Sequence, residues 1–239
     1  MRTLLAALLC LSLCFCLGAS PAPAAPEPVP PPAAVQTGPN IPHAILGEID
    51  KESSKAAIQF IEESNEGKAN AIILEINSPG GSVRAGFLLA KAIEHSESPV
   101  VCVVDGEADS MAFAILQSCQ LRVMTKRSSL MWHQPSLSGN FSGQEDDWKQ
   151  LGENAANALR AVNKALAQTI AARLGMPVKD LMSKTNHGRE WWLDSDQALK
   201  VNAVDMVEPS VKTVEQHMID AWNLLQQLTK EVEKAPAAP

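Results

Sequence analysis

Three short segments of this 239-residue chain carry residue types suited to acyl-transfer chemistry. Ile76-Asn77-Ser78-Pro79-Gly80-Gly81-Ser82 links an apolar run to the start of an amphipathic one. Glycines at such a junction let backbone N–H groups approach a ligand oxygen, and a helix amino terminus adds partial positive charge. The segment suits an oxyanion hole, which donates hydrogen bonds to a carbonyl oxygen as it becomes charged. A tight strand-to-helix turn is the plainer reading. Gly106-Glu107-Ala108-Asp109-Ser110-Met111-Ala112 repeats the pattern, with a serine at the first helical turn. That position either exposes an attacking hydroxyl or simply caps the helix. Trp132-His133-Gln134-Pro135 closes a further apolar run. A lone histidine of this kind is more often structural, but a serine hydroxyl is a weak nucleophile and needs a base that titrates near neutrality.

These segments recur at successive strand ends of an alternating pattern, and open α/β sheets gather their active sites at the carboxyl ends of strands. The pattern predicts strands at Ala44–Ile49, Ala71–Ile76, Pro99–Val104, Leu121–Met124 and Leu130–Trp132. It predicts helices at Ser53–Glu63, Val83–His95 and Ser110–Ser118. The rhythm implies an α/β domain with a mostly parallel core. Gln144–Leu174 reads as one long helix with an apolar residue every three or four positions, stopped by Gly175 and Pro177. At roughly 46 Å it exceeds what a small domain covers, so part of its stripe is expected to meet another subunit. Asp194 and Gln197 form a capping-box pattern for a short helix ending near Val201, and Val211–Val232 reads as a docking helix.

The ends differ in character. Met1-Arg2, an apolar run from Leu4 to Leu17 and small residues after it have the layout of a secretory signal peptide, assigned here to residues 1–24. Residues 25–41 read as a Pro/Ala-rich linker, 42–210 as the folded domain and 211–239 as a carboxyl-terminal amphipathic helix and tail. The expected location is therefore periplasmic or secreted. Of five cysteines, Cys102 and Cys119 remain after removal of the leader. They permit one disulfide in an oxidising compartment, although Cys102 reads equally as a core thiol. A net charge of −7 argues against nucleic-acid binding. No cysteine or histidine spacing supports a metal site, and no cofactor is expected.

From about Ile45 to Val207 the residues resemble the proteolytic subunit of Clp protease, a family of serine peptidases. Ile76–Gly81 is similar to the family's oxyanion segment, Gly106–Met111 to its nucleophile segment and Met131–Pro135 to its base segment. Gly139, Gly143, Gln144 and Asp147 resemble the family's glycine-rich approach to a long handle helix. The resemblance implies a crotonase-like α/β core of stacked sheets and helices with a protruding handle, to which the carboxyl-terminal helix of this chain is an addition. It implies Ser110 as nucleophile and His133 as base. Counting back from Gln197-Ala198 through Leu193 and Trp192, it implies Glu190 as the acid where the family has aspartate, with Asp194 as the alternative. Backbone N–H groups of Gly81 and Met111 would receive the oxyanion, with that of Gly80 nearby. Peptides or unfolded proteins are the implied substrates, and a homo-oligomeric ring the implied assembly.

Several residues depart from the family. Asp109 stands where a small residue precedes the nucleophile, and Ala112 replaces a glycine often found after the methionine. The segment that lines the axial pore in the family is replaced here by the leader and spacer, which argues against a cytosolic unfoldase partner. Lys126, Lys149 and Lys164 leave a serine–lysine pair of the signal-peptide-peptidase type as an alternative, against which the His133-Gln134-Pro135 segment stands. Asp109 and Glu190 motivate the non-catalytic alternative, an inactive scaffold or ring partner. A coenzyme A thioester enzyme is disfavoured, because that chemistry does not call for a serine–histidine pair.

Overall fold

The structure is a computed structural model describing residues 38–136 and 145–234. The leader, most of the spacer, and Gly139, Gly143 and Gln144 lie outside the described residues. A seven-stranded sheet organises the fold. Its parallel spine runs β1 (His43–Leu46), β2 (Ile72–Ser78), β3 (Val100–Asp109), β4 (Leu121–Thr125), β7 (Met206–Glu208). The first half of β3 pairs β4 through Val101↔Leu121 to Val104↔Met124. Its last residues change partner and pair β5 (Ser129–Trp132) in parallel, Glu107↔Ser129 to Asp109↔Met131. β6 (Trp191–Leu193) then joins β5 antiparallel.

β3 runs past the predicted Val104 because its second half gains β5 as a neighbour. β6 and β7, three residues each, have no periodicity of their own and exist through pairing with β5 and β4. β1 ends earlier than expected, and Ile49 forms a separate parallel bridge to Gly81.

α1 (Lys51–Glu66) starts two residues before the predicted Ser53 because Asp50 caps it. The Ser53 N–H donates to Asp50 Oδ1 at 2.7 Å, and Ser53 Oγ accepts from the Asp50 N–H at 2.9 Å. α2 (Val83–Glu94) and α3 (Met111–Leu116) follow β2 and β3. α4 (Glu145–Leu174) is the predicted long helix, and α5 (Val178–Lys184) follows it. α6 (Ser195–Lys200) carries the expected Asp194–Gln197 capping box, and α7 (Val211–Lys234) closes the described chain. No helix among the described residues is long and apolar enough to cross a membrane.

Strand alternation sorts the core into two layers. Leu74, Ile76, Cys102, Val104 and Met124 pack with Phe113, Trp132, Leu166 and Ile170 in the larger cluster. Ile73, Val101, Val103 and Val123 face the other way, where Val211 and Val214 of α7 cover them. Only the start of α7 docks this way, and Leu224, Leu225 and Leu228 farther along are exposed. α4 behaves in reverse. Leu166, Ala167, Ile170, Ala171 and Leu174 are buried, while Leu151 is exposed, so its earlier turns project as a handle.

Arg122 of β4 is 2% exposed and supplies the principal buried charge of the sheet. Its guanidinium donates to both carboxylate oxygens of Asp205, to Gln117 Oε1 at 2.7 Å and to the Asn202 carbonyl at 2.9 Å. This ties the turn before β7 to the centre of the sheet. Burial pushes the Asp205 carboxyl up, but hydrogen bonds from Arg122 and its charge prevail and hold it below its ordinary value. The stabilisation is therefore present above the ordinary carboxylate range and is lost as pH falls through the lowered value. Arg122→Ala leaves the carboxylate without its buried partner. A loss of about 3–5 kcal/mol in chemical denaturation at pH 7, shrinking in acid, is expected.

Candidate active site

The site forms where β2 and β3 end. Gly80 and Gly81 sit at φ +92° and +141°, conformations that side chains rarely adopt. A Cβ on Gly80 would lie 2.7 Å from Ser110 Cβ and 2.6 Å from the Asp109 carbonyl oxygen. The glycine turn is thus pressed against the serine segment. The Ile49 N–H donates to the Gly80 carbonyl at 2.8 Å, and the Ser82 N–H to the Ile49 carbonyl at 2.7 Å. The Gly80 N–H is occupied by Ser78 Oγ at 3.1 Å. The Gly81 N–H makes no hydrogen bond among the described residues.

Ser110 has φ +55° and ψ −114°, a conformation forbidden to most residues with a Cβ. Such strain costs on the order of 1–3 kcal/mol and persists only where the surroundings impose it. The Ser110 N–H donates to the Met131 carbonyl at 2.8 Å, fastening the bend to β5. The hydroxyl makes no capping bond to α3, so the plain N-cap reading of this serine does not hold. Met111 begins α3, and its N–H has no intrahelical acceptor.

Cys102 and Cys119 form a disulfide that joins β3 to the residues just past α3. The closed loop contains Ser110. Both cysteines are buried, and of the two readings the sequence left open for Cys102, the disulfide holds and the free core thiol does not. Loop-closure entropy for their separation of 17 residues predicts that reduction, or Cys102→Ala with Cys119→Ala, lowers stability by about 3 kcal/mol. Denaturation with and without reductant measures this directly.

Ser110, Met111 and His133 line one small recess with Val83, Trp132, Pro135 and Leu166. Its volume is about 10 Å³, room for little more than a water molecule. Met111 and Leu166 also border a groove of about 430 Å³ that runs between α2, α3 and α4 past Phe87 and Ala90. A cavity of similar size between α1 and α2, bordered by Lys51, Lys55 and Arg84, contains none of the proposed catalytic residues.

His133 is half-buried, and its Nδ1 lies 2.7 Å from the Gln134 carbonyl oxygen. A carbonyl only accepts, so Nδ1 carries a proton, and in the neutral ring the lone pair is then on Nε2. Gln134, to which the sequence assigned no role, is held on both sides. Its Nε2 donates to the Thr185 carbonyl at 3.2 Å, and its Oε1 accepts from Asn163 of α4 at 3.0 Å.

Strand pairing runs Leu130↔Leu193, Met131↔Trp192 and Trp132↔Trp191, and His133 and Glu190 are the next residues beyond its end. The side chains do not meet. Glu190 is exposed, and its Oε2 accepts from Trp192 Nε1 at 2.9 Å. Asp194 is engaged as the cap of α6. Lys126 and Lys164 are exposed and neither borders the Ser110 recess, while the Lys149 side chain lies outside the described residues.

Asp109 is 6% exposed and its Oδ1 has no hydrogen-bond partner among the described residues. Burial, and then the charges of Glu107 and Glu190, push its carboxyl up to about 6. A carboxyl raised in the folded state contributes stability that is complete below its ordinary value of 3.8 and is lost as pH rises through about 6. Asp109→Asn is therefore expected to stabilise the protein above pH 6, by on the order of 1–3 kcal/mol, with the gain vanishing toward pH 4. Thermal melts across that range test it.

The parallel sheet, the projecting α4 and the bent serine segment define an α/β protein of the crotonase-like class, with a strained residue at a strand-to-helix turn. Residues 43–210 match the family model described as Clp protease, and the chain belongs to that family. It is 34% identical over 161 residues to the ATP-dependent Clp protease proteolytic subunit 1 of Chlamydia caviae, covering 65% of this chain and 80% of the relative. The subunit 1 of Protochlamydia amoebophila is 30% identical over 189 residues, covering 73% of this chain and 87% of the relative. Membership supports a proteolytic function, that of a peptidase hydrolase.

Proposed function

We propose that the protein is a serine endopeptidase that cleaves peptides or unfolded proteins by acyl transfer. The observation that carries this reading is the strained Ser110, its hydroxyl free of any cap and sharing a recess with His133. Ser110 Oγ attacks the scissile carbonyl and His133 Nε2 takes its proton, with Nδ1–H already oriented by a neighbouring acceptor. The oxyanion is received by the N–H groups of Gly81 and Met111. The Gly80 N–H, engaged by Ser78, is the weaker candidate.

Glu190 completes the site once its carboxylate leaves Trp192 and replaces the Gln134 carbonyl at His133 Nδ1. It then stabilises the imidazolium that forms during attack. The 430 Å³ groove next to Met111 takes a substrate side chain after the recess opens.

The leader-like amino terminus and the buried disulfide support export to an oxidising compartment, periplasmic or extracellular. ATP is scarce there, so this reading assigns no ATP-driven unfoldase. The family resemblance, the exposed part of α4 and the exposed leucines of α7 support assembly with further copies, as a ring.

Fluorophosphonate labelling read by intact mass tests the core of the proposal. One adduct is expected on the wild-type protein, with Ser110→Ala abolishing it and His133→Ala slowing it by at least about a thousandfold. Labelling that persists in Ser110→Ala rejects the nucleophile. Absence of labelling in the wild type across the pH range in which it stays folded favours the non-catalytic scaffold.

A further inference from the structure

Asp109 directly precedes the proposed nucleophile, yet the fold offers its carboxyl no cation. It is 6% exposed, one oxygen is unpartnered, and no ion pair reaches it among the described residues. Strand register decides which groups it faces. Asp109 lies beside Met131, and Met131 beside Trp192. Side chains alternate along a strand, so Asp109, Met131 and Trp192 share one face, with Glu107, His133 and Glu190 two residues along their respective strands. Ala108, Leu130 and Leu193 point the other way, into the core.

The titratable groups around Asp109 are accordingly Glu107 on its own strand, His133 just past β5 and Glu190 just before β6. Lys126 and Arg127, in the turn before β5, are exposed. The Arg189 guanidinium is spent on the Asn186 and Ser183 carbonyls. α4 contributes Asn163 near His133, bound to Gln134.

We propose that Asp109 is a positioning residue for Glu190: as a carboxylate it repels Glu190 from the space beside the His133 imidazole, and as a neutral acid it lets Glu190 in. The inference rests on the serine–histidine–glutamate reading above. The observed side chains correspond to the excluded arrangement, with Glu190 turned out onto the Trp192 indole and His133 Nδ1 satisfied by a backbone carbonyl. Neutral Asp109 also removes an uncompensated buried charge next to the serine segment.

The carboxyl is neutral below about 6 and charged above it. The site therefore assembles as pH falls through that value. A residue that acts through charge in this way leaves a mark on the pH profile. An effect through stability alone follows the thermal melt instead, so rates are compared only at pH values where every protein is fully folded.

The test is the rate of fluorophosphonate labelling of the full chain between pH 5 and 8, for wild type, Asp109→Asn, Asp109→Ala and Glu190→Gln, with Ser110→Ala as blank. Wild-type labelling is expected to fall about tenfold per pH unit above pH 6. Asp109→Asn should label within about twofold of wild type at pH 5.5 and more than tenfold faster at pH 8, and Asp109→Ala should do the same if the amide perturbs folding. Glu190→Gln should label slowly throughout and lose the pH 6 limb, because nothing remains to be repelled. Ser110-dependent labelling with the wild-type profile in both Asp109 variants, or a uniform rate change at all pH values, overturns the inference while leaving the serine reading intact. No Ser110-dependent labelling in any protein overturns both.

Discussion

A backbone bend at Ser110 that most residues avoid is the constraint on which the site depends. The strain costs on the order of 1–3 kcal/mol, and several independent contacts prevent its release. The amide of Ser110 is fastened to the Met131 carbonyl, Gly80 packs against its Cβ, and the Cys102–Cys119 bridge closes the loop that contains it. Each comes from a different element, so relaxing the bend means giving up a β5 bond, a turn and a cross-link together. Ser110 thus enters α3 through its carbonyl, which accepts from the Ala114 N–H, while its hydroxyl makes no capping bond.

The change of partner within β3 is what assembles the remaining groups. Up to Val104 the strand belongs to the parallel spine, and from Glu107 it belongs to β5. β5 in turn recruits β6, and this small branch brings Glu107, Asp109, His133 and Glu190 to one side of the sheet. Placing three carboxyl groups and an imidazole on a half-buried face creates an electrostatic conflict. Burial favours neutral acids, while imidazolium formation favours a nearby carboxylate. The conflict shows in Asp109, raised to about 6, and in Glu190, turned outward.

The two long helices share a different property. Each uses one end to cover the sheet and leaves apolar side chains exposed at the other: Leu151 on α4, and Leu224, Leu225 and Leu228 on α7. A stripe of this kind follows from periodicity alone. Which stretch of it is covered depends on where the sheet ends.

Much of this was legible in the residues. The β-α-β rhythm, α2, the long α4, the α6 capping box and the turns at residues 76–82, 106–112 and 132–135 follow from local patterns of apolar spacing, glycine and caps. β6, β7 and the second half of β3 were not legible, because they are too short or too irregular to carry a period and exist only through pairing. The buried Arg122–Asp205 pair was likewise hidden, since its partners are 83 residues apart. The sequence by itself determined the family, the alternating elements and which residue types sit at the strand-to-helix turns, because residue type and local turn signals are encoded over a few positions. Only the tertiary structure decided that Ser110 is strained and its hydroxyl makes no cap, that Cys102 and Cys119 are joined, that Asp109 is buried with Oδ1 unpartnered among the described residues, and that the Glu190 carboxylate lies on Trp192 rather than at His133. Burial, register and side-chain choice among competing hydrogen-bond partners are properties of chain segments far apart in sequence, and they take a value only when those segments meet.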